Sequence, residues 1–213
     1  MSRSEQDSRV VMLVHNRGVT VSKVEQGVAR AFFRWVYQDW AVNRGHRDSQ
    51  LVLSGFRLAQ WAHDHWGAAG FVYAGFYRLT TSLFGGVELP PECHIGPRLR
   101  IFHPHSIVLN PAVVMGSDCV LRQNVTIGNI VRRNGVEKGV ASVGKGVEFG
   151  AGCVVVGAIH VGDYARIAAL SLVIESVPER GVMRGNPAVL VRIDDPEPPR
   201  DATVPPVSSP GTE

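Results

Sequence analysis

The sequence predicts a parallel β-helix of hexapeptide repeats preceded by a small α-helical region, and three observations carry that prediction. First, Leu89, Ile95, Ile101, Ile107, Val113, Cys119 and Val125 follow one another at a spacing of six, with polar residues, Gly and Pro between them. Second, the period returns in another register at Val143, Phe149, Val155, Val161, Ile167 and Val173, with companions four places later at Val147, Cys153, Ile159, Ala165, Ser171 and Val177. Third, hexads open on an apolar residue followed by glycine, as in Met115-Gly116, Ile127-Gly128, Val143-Gly144, Phe149-Gly150 and Val161-Gly162. A helix repeats its apolar face every three to four residues and a half-buried strand every two. A period of six belongs to a solenoid in which each hexad supplies one short strand and one bend. Three hexads then close a triangular turn, and turns stack at ~4.8 Å, each burying its neighbour's apolar residues.

In chain order, residues 1–27 show neither periodicity nor motif and are read as an arm. Residues 28–86 form the helical region. Val28, Phe32, Trp35, Val36 and Trp40 recur at helical spacing from Val28 to Asn43, before Gly45. A second helix is expected from Ser49 to Trp66 with Leu51, Phe56, Leu58 and Trp61 facing inward, and a third from Phe71 to Leu83, closed by Gly85-Gly86. The many aromatic residues here, with Arg57 and Arg78 interleaved, suit either a membrane-surface or partner-docking face or packing against the first coil and neighbouring subunits. Packing is favoured, because large apolar faces are usually core or oligomer interface. Residues 87–192 form the β-helix. Within it, 129–141 break the hexads with a polar, basic run read as a loop thrown out from one corner, where loops often carry substrate contacts. After Pro178 the chain turns back to cap or extend the prism. Residues 193–213 are Pro-rich and polar and are expected to be disordered.

At 213 residues and a net charge of +3 the chain fits one core domain with appendages. The charge is too small to argue for nucleic acid, and no basic stripe or aromatic platform suggests it. Cys93, Cys119 and Cys153 read as small buried hydrophobes in a reducing compartment; Cys93 beside His94 has nothing that marks an activated thiol. The apolar run 10–14 is too short for a signal peptide and no window approaches a membrane span, so a cytoplasmic protein is expected.

The runs GVELPPECHIGPRLRIFHPHSIVLN, VTIGN and VPERGVMRGNPAVLV, within a stretch from Asp39 to Val191, resemble the left-handed β-helix acyltransferases and, among them, the serine acetyltransferase group. The resemblance implies a left-handed coil, acetyl-CoA as donor, and a homotrimer or a dimer of trimers. Acyl transfer to a hydroxyl needs a general base, an orienter for it and a donor for the oxyanion. His103 and His105 are both candidates by residue type; the family's motif places the base at His103. Its acidic partner falls at Glu88, where the family carries Asp. The H-x-H pair leaves a metal reading open, but no third His falls at a matching spacing, and no metal is expected. By the same resemblance the donor site takes in Gly128, Ala151 and Ala169, whose small size admits a pantetheine arm. Arg166 and Arg184 are candidates for coenzyme A phosphates. Phe102, His105, Asn110 and Asp48 are the acceptor-site candidates.

Two departures bear on the acceptor. Phe102 stands where the serine-acetylating enzymes carry an Asp that holds the amino acid, and the run NIVRRNGVEKGVAS lacks the family's second His. The runs IVLN and VTIGN, with Tyr77-Arg78-Leu79 and Phe84-Gly85, resemble instead the branch that O-acetylates sugars in polysaccharide assembly. A neutral saccharide acceptor is therefore expected, with L-serine as the alternative and a non-catalytic scaffold as a third reading.

Overall fold

The computed structural model describes residues 21–131 and 137–196. Residues 1–20 of the expected arm, 132–136 of the expected loop and 197–213 of the expected tail lie outside them. Helices α1 (Val21–Val36), α2 (Arg47–His65) and α3 (Ala68–Gly85) precede a prism of three parallel sheets. The first face stacks His94–Ile95, Val114–Met115, Ser142–Val143 and His160–Val161. The second stacks Arg100–Phe102, Val120–Arg122, Glu148–Phe149, Arg166–Ile167 and Gly181–Gly185, with Ala188–Ile193 added antiparallel. The third stacks Val108–Leu109, Thr126–Gly128, Val154–Val156 and Leu172–Val173, with Glu88 bridged beneath Val108.

Alternation along each short strand sends one apolar side chain inward. The interior is accordingly three ladders: Leu89, Leu109, Ile127, Val155, Val173; Ile95, Met115, Val143, Val161; and Ile101, Leu121, Phe149, Ile167, Met183, all buried. The spacing of six from Leu89 to Val125 is therefore not one ladder. Leu89, Ile95 and Ile101 belong to the strand ladders, but from Ile107 onward the same spacing runs through buried positions just before the strands, and the ladder residues are Leu109, Met115 and Leu121. The cause is a corner two residues longer than its counterpart. Phe102 stacks on Arg122, twenty positions on, whereas Val108 stacks on Thr126, eighteen on. The extra residues lie in His103–Ser106.

Val114 stacks on Ser142, a much longer step, because the chain leaves the prism after Gly128. There Ile130–Val131 pairs antiparallel with Glu137–Lys138, so the ejected segment is built on a two-stranded ribbon.

The helical region departs from expectation at its start. The first helix covers Val21–Val36 rather than Val28–Asn43, and the chain then turns and forms a single 3-10 turn at Ala41–Asn43. The reason is that Asp39 and Asn43 are drawn in to the first coil and are buried. Trp35 and Trp40 stay partly exposed, and Leu51, expected inward, is 69% exposed while Leu53 and Phe56 fill the interface. Arg57, interleaved among the helical aromatics, is 0% exposed.

Its burial answers a problem built into any solenoid: the lower edge of the first coil has backbone groups with no coil beneath them, and a bare strand edge is a liability. Arg57 donates to the carbonyls of Ile95 (2.8 Å) and Gly96 (2.7 Å), and Gln60 to that of Cys93 (2.7 Å). Asn43 donates to Leu99 C=O (2.8 Å) and accepts from Ile101 N–H (3.0 Å), while Ser49 donates to Ile101 C=O (2.9 Å). Asp39 accepts from Leu99 N–H at 2.9 Å and holds Arg57 Nε at 2.7 Å. The helices thus finish the sheet edges with side chains. Arg78 is on the surface, paired with Glu92.

Candidate active site

The edge between the second and third faces repeats one backbone device. Ser106, Asn124, Gly152 and Leu170 stand one above another with φ of 51°, 60°, 69° and 59°, the left-handed bend each coil needs. Other non-glycine residues with positive φ, namely Arg98, Asp118, Tyr164 and Arg180, form the matching series on the edge between the first and second faces. Among the described residues His103, with φ 56°, is the one non-glycine positive-φ residue outside both series. It opens the two-residue expansion, where His105 N–H donates to His103 C=O at 2.7 Å. A left-handed non-glycine residue costs free energy and tends to persist at functional sites.

The expanded corner rests on the end of α3. Ser106 N–H donates to Gly85 C=O at 2.9 Å, and a Cβ on Gly85 would lie 3.2 Å from Pro104 C=O, so a side chain there would press on the corner. His103 and His105 are exposed while Pro104 between them is buried. Glu88 is exposed, pinned by Glu88 N–H to Ile107 C=O (2.7 Å) and Leu109 N–H to Glu88 C=O (2.9 Å), one coil below Val108. Glu88 therefore lies just past the expanded corner, on the third face, and no side-chain hydrogen bond joins it to His103 among the described residues.

Ala151 and Ala169 lie on the same edge as His103, in successive coils above it. Backbone bonds mark that edge: Asn124 N–H to His105 C=O (3.0 Å), Gly152 N–H to Gln123 C=O (3.0 Å) and Leu170 N–H to Ala151 C=O (2.9 Å). Gly150, a hexad opener that was not among the site candidates, is required there, since a Cβ would come within 2.4 Å of Ala169 N. Gly128 lies across the third face, at its far edge, with only Val156 near the position of a Cβ. Arg166, on the second face, is ion-paired with Asp194 at 3.4 Å, and Arg184 is exposed on Gly181–Gly185.

Two acceptor-site candidates make local backbone contacts. Asp48 Oδ1 accepts from Ser49 N–H at 2.9 Å in the first turn of α2, and Asn110 Oδ1 accepts from Ala112 N–H at 3.0 Å, closing the bend after the third face. Phe102 is different. Its ring lies on the outer surface of the second face beside His103, met edge-on by His46 (5.2 Å between centroids), with the guanidinium carbons of Arg122 at 4.9 Å and Arg100 at 5.9 Å from its centroid.

His94 points outward from the first face, away from His103 and His105. Cys93, Cys119 and Cys153 are free and buried, and burial pushes each thiol up to about 12. They fill the prism as packing residues.

No family model matches the chain. It is 37% identical over 112 residues to the putative colanic acid biosynthesis acetyltransferase WcaB of Escherichia coli K12, covering 53% of this chain and 67% of that protein. It is 31% identical over 144 residues to the serine acetyltransferase of Mycobacterium tuberculosis, covering 68% of this chain and 61% of that one. A solved serine acetyltransferase in complex with CoA superposes with a TM-score of 0.63 at 25% identity, over 76% of this chain and 70% of that one. Among the described residues no helix is long and apolar enough to cross a membrane. With its hexad ladders, its expanded corner and these relatives, the chain belongs to the serine acetyltransferase-like family of left-handed β-helix, hexapeptide-repeat acetyltransferases.

Proposed function

We propose that the protein is an acetyl-CoA-dependent O-acetyltransferase whose acceptor is a sugar or polysaccharide precursor. His103 is the general base, oriented by Glu88. It takes the proton of the acceptor hydroxyl as that oxygen attacks the thioester carbonyl. When the tetrahedral intermediate collapses, the C–S bond breaks and the imidazolium returns the proton to the departing thiolate. The observation that carries this reading is the corner itself. A lone left-handed histidine opens a two-residue expansion at the foot of an edge lined above by Ala151 and Ala169, where a thin pantetheine arm fits against backbone. The solved relative in complex with CoA supports the donor. Leu170, 78% exposed on this edge next to Ala169, supports a homotrimer with the donor groove between neighbouring prisms.

L-serine is the second reading, favoured by the serine acetyltransferases among the relatives. Phe102 flanked by two guanidiniums weighs against it, because an ammonium group would meet cations where it needs an anion.

Release of coenzyme A thiol from acetyl-CoA, with L-serine and a set of sugars offered separately, tests the proposal. His103→Ala should lower kcat on the preferred acceptor by ~10²–10⁴-fold, the usual contribution of a positioned base. A variant within about tenfold of wild type would refute the role given to His103.

A further inference from the structure

We infer that Arg122 and Arg100 form an anion subsite beside His103, so that the acceptor carries a carboxylate or phosphoryl group close to the hydroxyl that is acetylated. The inference rests on the placement of the reaction at His103, and it replaces the neutral acceptor that Phe102 by itself suggests.

Strand register sets the arrangement. Phe102 and Arg122 are direct neighbours on consecutive coils, and Arg100 stands two residues before Phe102 on the same outward row. Both guanidiniums therefore converge on one ring, at 4.9 Å and 5.9 Å, and His46 at the start of α2 closes the third side at 5.2 Å. Stacking on an aromatic face fixes a guanidinium while leaving its in-plane N–H edge open to a bidentate oxyanion. Arg100 uses Nε on the carbonyl of Val42, at 2.8 Å. Arg122 is exposed, and among the described residues neither arginine is paired with a carboxylate. Elsewhere on this outer surface Arg166 pairs with Asp194, which Arg192 also meets, and sits in register with Glu148. The row beside the candidate base carries two guanidiniums with a ring, and no acid, between them. Phe102 thus acts as a platform that aims cations at the acceptor.

The test uses the full chain and three matched acceptors: glucose, glucuronate and glucose 6-phosphate. The anionic acceptors should be preferred in kcat/KM, and whichever of the two dominates distinguishes a carboxylate from a phosphoryl group. Arg122→Gln should reduce the anionic-over-neutral ratio by about 10–100-fold, the worth of a charge-assisted hydrogen bond pair. Arg122→Lys should recover part of it, and KM for acetyl-CoA should hold. Equal use of all three sugars by wild type, or a ratio untouched by Arg122→Gln, would overturn the inference. So would a rise in KM for acetyl-CoA with no change in ratio, which would assign the guanidinium to donor phosphates. If no sugar turns over, the proposed reaction fails on its own account. Calorimetry of glucuronate and glucose 6-phosphate with coenzyme A present then decides the subsite: binding lost in Arg122→Gln upholds it, and no binding overturns it.

Discussion

Arg57 and Arg122 show two uses of one side chain on the same prism. Arg57 is fully buried, and its guanidinium is engaged by Asp39, Gln60 and the carbonyls of Ile95 and Gly96. Arg122 lies in the open over Phe102 with no hydrogen bond or ion pair among the described residues. The first closes a strand edge that would otherwise be bare. The second is held in place without using its donors, as a recognition group must be. The difference teaches that an arginine's role follows from what its N–H groups already bind, more than from its exposure alone.

The comparison can be broken by mutation. Arg57→Met keeps the volume but strands Asp39 and two carbonyls, and should cost about 3–5 kcal/mol in a denaturant titration, as breaking a buried pair does. Asn43→Ala, which frees Leu99 C=O and Ile101 N–H without leaving a charge, should cost about 1–3 kcal/mol by the same measurement. Arg122→Gln should move stability by no more than about 0.5 kcal/mol while changing acceptor preference. Were Arg122→Gln as destabilising as Arg57→Met, the guanidinium over Phe102 would be a structural prop and the contrast would collapse. A stable, fully cooperative Arg57→Met protein would equally show that the helices do not latch the coil through it.

Much of the fold was legible because a β-helix is local physics repeated. Each hexad carries its own inward residue, and a period of six admits few other architectures. The expanded corner escaped notice for a specific reason. The two added residues shift the ladder from Ile107 to Leu109, and because Ile107 and Leu109 are both apolar the spacing runs on unbroken across the insertion. Its one trace in the sequence is HPHS, two residues more than the bend that follows Arg122 in the next coil. The polar latch was less legible still. Asn43 and Ile101, or Arg57 and Ile95, are far apart in the chain, and an Arg among helical aromatics looks like a surface charge until the coil edge beneath it is seen. At the site, the resemblance named Ala151, Ala169 and Gly128 together, while the structure sets the two alanines on the edge of His103 and Gly128 across the face from it. Gly150 could have been found from its place before Ala151, since a glycine opening a hexad turn often marks a close approach of the next coil.

The sequence by itself determined that this chain coils, and the family to which its motifs point, because inward apolar residues and bends recur within six positions and need no distant partner to be read. The tertiary structure decided which residues meet around His103. Arg100, Phe102, Arg122 and His46 become neighbours only when strand register stacks one coil on the next and the start of α2 is laid against them. Side-chain chemistry is written along the chain; the electric field at a corner depends on what is stacked across it.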